Sequence, residues 1–185
     1  MIPYEFNAER FSRWMAYVLR HNPERYGLQA DRHGFVEMEA FLRIARHRYP
    51  EVGLERLREL IAGAGSARFE VADDRLRARY GHSIPVDPAG EPVEPPPQLF
   101  YGTDQSRTAE LLAGGLRPTD RRLLHLSQTA EEAWSIARRK TLQPAVIQVD
   151  AQAAHQSGIA FYREGTVHLA GSIPERFLSL ESGAS

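Results

Sequence analysis

Hydrophobic positions in the first 80 residues fall at helical spacing and then switch to alternation. Phe11, Trp14, Met15, Val18 and Leu19 recur at three- and four-residue intervals, which predicts one apolar helical stripe. Asn22-Pro23 ends it, because the residue before a proline is pushed out of helical geometry. Asp31-Arg32-His33-Gly34 signals a turn, followed by Phe35-Val36 as a short strand. A second helix is predicted over Glu37 to Arg48 with Phe41, Ile44 and Ala45 inward, and a third over Leu54 to Ala62, stopped by Gly63. Residues 68–80, RFEVADDRLRARY, hold two alternating runs around Asp73-Asp74, a hairpin pattern. Three short helices followed by a hairpin is the layout of a winged-helix domain.

The second half alternates short strands with helices. Leu99-Phe100-Tyr101 reads as a strand, Gly102-Thr103 as a turn, and a helix follows from about Arg107 to Ala113, closed by Gly114-Gly115. Leu123 to Leu126 is a strand. Thr129 with Glu132 makes a capping box for a helix reaching about Lys140. Ala145 to Val149 is the strongest strand signal, with weaker ones at Ile159 to Tyr162 and Val167 to Ala170. These helices are too few for a doubly wound parallel sheet, so this half is predicted to be α+β with a mixed or antiparallel sheet.

Between the halves lies PVDPAGEPVEPPP, with six of the chain's twelve prolines. It has no hydrophobic period and reads as a semi-rigid linker. The expected organisation is therefore a lobe over residues 1–85, a proline-rich linker over 86–97 and a second lobe over 98–185. No stretch approaches 18 consecutive apolar residues, and the N-terminus lacks a signal layout, so neither a membrane span nor secretion is expected. The chain has no cysteine, which excludes disulfides, thiolate metal sites and a cysteine nucleophile. A reducing cytoplasm fits, and a monomer is the expected state.

Charge narrows the chemistry. The net charge is -1, yet 22 of the 23 basic residues are arginine, with Lys140 the one lysine. Bulk polyanion binding through net charge is not indicated, and recognition of phosphate must be local, through the planar guanidinium fork. Arg20-His21 closes the first helix, where the dipole alone favours cations. Arg68 opens the hairpin. Arg75, Arg77 and Arg79 share a strand face, either the wet face of an edge strand or a phosphate-contacting strip. Arg121-Arg122 precedes the strand that carries His125 and leads to Ser127. Nucleotide, dinucleotide, zinc-protease and serine-hydrolase signatures are all missing.

Taken together, FSRWMAYVLRHNPERYGL, DRHGFVEMEAFL, SARFEV, LFYGT, GGLRPTDRRLLHLS, PAVIQVDA and GIAFYREGTVHLAGSIPERFL resemble the RNA 2′-phosphotransferase family, the KptA-like group of tRNA-splicing phosphotransferases. The resemblance covers roughly residues 10–180 in the family's own order. It implies a winged-helix-like RNA-binding lobe and an ADP-ribosyltransferase-like lobe that binds NAD. The family's catalytic arginine, histidine, arginine and arginine fall on Arg20, His21, Arg68 and Arg121. Tyr101, Gly102, Thr103, His125 and Ser127 would line the NAD site, with Gly102 admitting close backbone approach to the ligand. No metal is required.

The implied reaction suits these residue types. An internal RNA 2′-phosphate, already ionised at neutral pH, attacks the nicotinamide ribose of NAD without a carboxylate base. The 2″-hydroxyl then attacks phosphorus, giving repaired RNA and ADP-ribose 1″,2″-cyclic phosphate, while arginines stabilise the phosphoryl charge. His21 would act as acid, base or donor. The chain departs from the family at Tyr101, where histidine is usual, at RRKTLQP, which lacks the usual glycine, and at His168, where a large apolar residue is common. Two rival readings are an ADP-ribosyltransferase that stops after the first step, and a non-catalytic RNA-binding winged-helix protein.

Overall fold

The computed structural model describes residues 6–63, 65–88, 90–119 and 122–182. The chain is α+β and divides into two compact units, Met1–Asp87 and Pro88–Ser185.

The first unit begins with α1 (Ala8–His21), whose N-cap Asn7 accepts a hydrogen bond from Arg10 N. It continues through a 3₁₀ turn (Glu24–Tyr26), β1 (Val36–Glu37), α2 (Met38–Arg48) and α3 (Leu54–Ala62) to the hairpin of β2 (Phe69–Ala72) and β3 (Arg75–Ala78). The stripe Phe11, Trp14, Met15, Val18, Leu19 is buried as its spacing requires. It packs against Phe41, Leu42 and Ala45 of α2, Leu57 and Ile61 of α3, and Phe69, Leu76 and Ala78 of the sheet. On α2 the inward positions are Met38, Phe41, Leu42 and Ala45. Ile44, expected inside, only borders the core. Asp73-Asp74 forms the hairpin turn with Asp73 at φ 54, a left-handed conformation that aspartate tolerates better than most residues. The sheet order is β1-β3-β2, with every pairing antiparallel.

The second unit holds β4 (Gln98–Asp104), α4 (Thr108–Gly114), β5 (Leu124–Ser127), α5 (Ala130–Arg138), β6 (Pro144–Asp150), α6 (Ala151–Gln156), β7 (Phe161–Glu164), β8 (Val167–Ala170) and β9 (Leu178–Leu180). Its sheet runs β7-β8-β5-β4-β6-β9. All its pairings are antiparallel, so the sheet is not mixed. Thr129 caps α5 as the capping box predicts, accepting from Glu132 N.

Two elements have no counterpart in the pattern reading. The alanine-rich α6 starts at its Asp150 cap. It ends in a Schellman motif, with Gly158 N bonded to His155 O and Ile159 N to Ala154 O. Ile159 is thereby spent on the helix end, and the strand expected at Ile159 to Tyr162 begins two residues later at Phe161. The three-residue β9 pairs with β6 at the sheet edge. Within the proline-rich stretch, Val93 N donates to Phe161 O and Pro97 O accepts from Ala151 N, so these residues are pinned to the second unit.

Opposite faces of this sheet carry different cores. Leu99, Leu124, Leu126, Ile147 and Val149 pack with Leu111 of α4 and Ala154 of α6. On the other face, Phe100 and Val146 pack with Ala133 of α5.

Candidate functional site

Arg20 and His21 occupy the last turn of α1, where backbone carbonyls have no helical partner. One of these carbonyls is satisfied from far along the chain, since Ser83 N donates to Arg20 O at 3.0 Å. The Ser83 hydroxyl and His21 Nδ1 share a 2.9 Å hydrogen bond. The Arg20 guanidinium carbon lies 5.0 Å from the centroid of the Tyr80 ring. Its stem runs over Gly81, where an added Cβ would sit 3.3 Å from Cδ and Nε. Gly81 also has φ +88, so glycine is favoured there twice over.

Arg68 enters the same neighbourhood through the hairpin. Arg79 N donates to Arg68 O at 2.8 Å, and Arg79 Nε reaches Ser66 O at 3.1 Å and Phe69 O at 3.2 Å. The Arg68 side chain is exposed, with Nη1 3.5 Å from Ser12 Oγ on α1. A five-residue segment, Arg79 to Ser83, thus touches all three of Arg20, His21 and Arg68. Arg121, expected to complete the set, lies outside the described residues.

The alternating arginines of β3 prove to be neither an edge nor a free strip. β3 is the central strand, and Arg77 is 2% exposed. Arg77 donates twice to Glu70 Oε2, at 2.8 and 2.5 Å, from the position directly opposite Glu70 in the hairpin. Arg75 pairs with Asp31 at 3.0 Å, and the guanidinium groups of Arg75 and Arg77 both lie over Phe35. These side chains brace the sheet, while Arg79 clamps the loop that carries Arg68.

In the second unit, the register Phe100↔Ser127 places those residues on one sheet face. Strand alternation adds Gly102 and His125 to that face and turns Tyr101 and Thr103 to the other. The sheet therefore brings together three of the five residues expected to line a nucleotide site. Ser127 is the last residue of β5 and buried, and His125 Nδ1 is 3.1 Å from Leu123 O. Tyr101 packs against the α4 and α6 core, and its hydroxyl makes no hydrogen bond among the described residues. The room a side chain would take at Gly102 is occupied by protein: an added Cβ would lie 2.5 Å from Ala133 O. That glycine lets α5 settle on β4, a role unlike the ligand approach expected of it.

Three further groups stand near these strands. Just beyond Thr103, the Asp104 carboxylate accepts from Ser106 N, Ser106 Oγ and Thr141 Oγ1, joining the end of β4 to the loop before β6. These hydrogen bonds, led by the Ser106 hydroxyl, hold its pKa below the ordinary carboxylate value. Glu164, 2% exposed, ends the cross-strand row Phe100, Ser127, Val167, Glu164, a buried carboxylate that strand patterning does not single out. His168, 3% exposed, lies opposite both Leu126 and Arg163. Burial lowers its pKa, and the charge of Arg163 lowers it further.

No helix among the described residues is long and apolar enough to cross a membrane. Comparison with known proteins bears on what such a chain is. The model of the RNA 2′-phosphotransferase, Tpt1 / KptA family matches residues 7–169. A probable RNA 2′-phosphotransferase 1 of Archaeoglobus fulgidus is 32% identical, over 96% of this chain and 82% of its own. Probable RNA 2′-phosphotransferases of Thermococcus kodakarensis and Agrobacterium fabrum are 34% and 36% identical, covering 93% and 94% of this chain and 96% and 95% of theirs. The match takes in both units, including α1 with its Arg20-His21 end, Arg68 and the Arg79 to Ser83 segment, and on that breadth the chain belongs to the RNA 2′-phosphotransferase, Tpt1 / KptA family.

Proposed function

We propose that this protein removes an internal 2′-phosphate from RNA and consumes NAD in doing so. The observation that carries the reading is the gathering of Arg20, His21 and Arg68 around one segment, in a chain of this family. The first unit serves as a winged-helix-like RNA-binding lobe, and the second as an ADP-ribosyltransferase-like lobe for NAD.

The Arg20 guanidinium and the His21 imidazole lie against that segment, and the Arg68 guanidinium, joined to it through its backbone carbonyl, reaches Ser12 of α1. Such groups suit a phosphate dianion, which takes forked charge-assisted donors. Arg121 is the third guanidinium of the proposed set. His125 and Ser127, with Tyr101 and Thr103 of the neighbouring strand, are the proposed contacts to NAD. His125 and Ser127 supply polar groups on the sheet face that they share with Phe100.

In the first step a 2′-phosphate oxygen forms a bond to the anomeric carbon of the nicotinamide ribose, and nicotinamide leaves. The RNA then carries ADP-ribose on its 2′-phosphate. In the second step the ribose 2″-hydroxyl attacks phosphorus, the bond to the RNA 2′-oxygen breaks, and ADP-ribose 1″,2″-cyclic phosphate departs. The proton lost by the 2″-hydroxyl matches the one gained by the RNA 2′-oxygen. In this reading His21, whose ring hydrogen-bonds Ser83, carries that proton, and the arginines offset the charge that builds on the phosphoryl oxygens.

The test is incubation of the full chain with a short RNA bearing one internal 2′-phosphate, with and without NAD, followed by mass analysis. Phosphate loss only with NAD is the expected result. ADP-ribosylated RNA that persists would replace the reading by a one-step transfer. No NAD-dependent product would overturn it.

A further inference from the structure

The aromatic residues of α1 fall into two kinds. Phe11 and Trp14 pack with Tyr26, Phe41 and Tyr49 inside the first unit. Tyr17 points away from that cluster and is 45% exposed, against 55% for Leu180 and full exposure for Leu142, the other exposed large hydrophobic residues described. Its ring lies 6.1 Å from the His21 ring, tilted by 51°, a loose contact that leaves a tyrosine face open. An open ring on the wet side of a helix adds little to folding, because burial is what makes aromatic surface stabilising.

The surroundings of Tyr17 suit a nucleic acid. Arg13, Tyr17 and His21 are spaced four residues apart, so they follow one face of α1 over about 12 Å. Among the described residues Arg13 is engaged only by Glu9, at 3.3 Å between exposed side chains, the kind of pair that is given up at little cost. An exposed aromatic ring between a phosphate-binding imidazole and an arginine has the layout of a single-strand site: rings stack on bases, and cations follow the backbone.

We propose that Tyr17 is a stacking platform for a nucleobase of the bound RNA, at or next to the nucleotide whose 2′-phosphate meets His21. This rests on the reading of Arg20, His21 and Arg68 as the phosphate site. Stacking uses the flat face that every base has, so the platform accepts any base and contributes affinity rather than sequence choice. The phenol ring, not its hydroxyl, does the work.

The experiment measures fluorescence anisotropy of a labelled short RNA with one internal 2′-phosphate, without NAD, on the full chain. The RNA is used intact and made abasic at the phosphorylated nucleotide or at either neighbour. Tyr17→Ala should weaken binding of the intact RNA by about 5- to 150-fold, the range for one lost base stack. Tyr17→Phe should stay within about threefold of wild type, since the ring remains. At one abasic position the wild type should be weakened as much, and Tyr17→Ala should then lose nothing more. Equal loss from Tyr17→Ala on the intact and all three abasic RNAs would show that the ring acts only on His21, and would overturn the proposal, as would no loss at all. Melting temperatures of the variants confirm folding. Phosphate removal by the wild type, assayed in parallel with NAD, keeps the two ideas apart. Turnover without base coupling defeats the platform alone, and base coupling without turnover defeats the phosphotransferase reading alone.

Discussion

Gly102→Ala should destabilise the protein, although the backbone there does not demand glycine. Gly102 is not in the positive-φ region, so alanine can adopt its conformation. On that ground alone the change would stabilise by about 0.4–1 kcal/mol, by restricting the unfolded chain. The new methyl carbon, however, would sit 2.5 Å from the Ala133 carbonyl oxygen and 3.3 Å from both the Ala133 carbonyl carbon and the Ala137 methyl. Ordinary contact begins near 3.4 Å, so α5 would have to retreat by about 0.9 Å from β4. That shift loosens Ala133, Phe100 and Val146. Forcing a methyl group into a packed interface costs about 1–3 kcal/mol. After the unfolded-state gain, a net loss of roughly 1–2 kcal/mol remains, and each kcal/mol lowers the midpoint of a unit this size by about 4–8 °C. Thermal unfolding followed by circular dichroism reads this directly. Gly114→Ala is the control: it is helical, meets nothing within 4 Å, and should hold or raise the midpoint. A midpoint for Gly102→Ala equal to or above wild type would refute the close approach of α5 to β4.

Arg79→Lys removes the Nε donor shared by Ser66 O and Phe69 O. Steady-state kinetics should show kcat reduced by about tenfold or more, from roughly 1.5–3 kcal/mol of lost charged hydrogen bonding, with a smaller change in KM. Arg68→Ala should cost about a hundred- to a thousandfold in kcat with the melting temperature kept, since its side chain is exposed; a loss within threefold would remove it from the site. His168 sets an acid limit. Its folded pKa lies below the unfolded 6.5, so the unfolded chain binds the extra proton, and this contribution to stability is lost as pH falls through 6.5 toward the folded value. Urea midpoints should fall more steeply from pH 7.5 to 5.5 in wild type than in His168→Phe, and equal slopes would count against it. Tyr101→Phe should leave the melting temperature unchanged and raise the KM for NAD by about two- to tenfold if the hydroxyl meets a ribose, the range of one neutral hydrogen bond. Unchanged NAD saturation would take Tyr101 out of the site.

The parts of the fold visible in the sequence are those with strong local period. The α1 stripe and the hairpin around Asp73-Asp74 could be read because their spacings leave few alternatives. The six-residue, alanine-rich α6 has no such stripe and rests on its Asp150 cap and the closure at Gly158. The β3 arginines were open to two readings because strand order is a tertiary property: only β1 on the far side makes β3 central. A two-residue turn at Asp73-Asp74 nevertheless puts Glu70 opposite Arg77, so that ion pair was implicit in the hairpin register. Arg20, His21 and Arg68 came from family resemblance. Nothing local marks Ser83 as the support of Arg20 and His21, since it lies 62 residues from His21.

That long-range support changes what the end of α1 is. Helix ends ordinarily fray, opening and closing with almost no free-energy cost. Here the final turn is bolted to the strand exit by Ser83, so opening it also breaks a contact that closes a long loop. The ordering of Arg20 and His21 is therefore completed when the first unit folds, not when a ligand arrives, and little conformational entropy is left to lose on binding. The same wiring makes the pair dependent on the whole unit. A chain ending before residue 79 would keep every residue of α1 and leave both side chains on a loose helical tail.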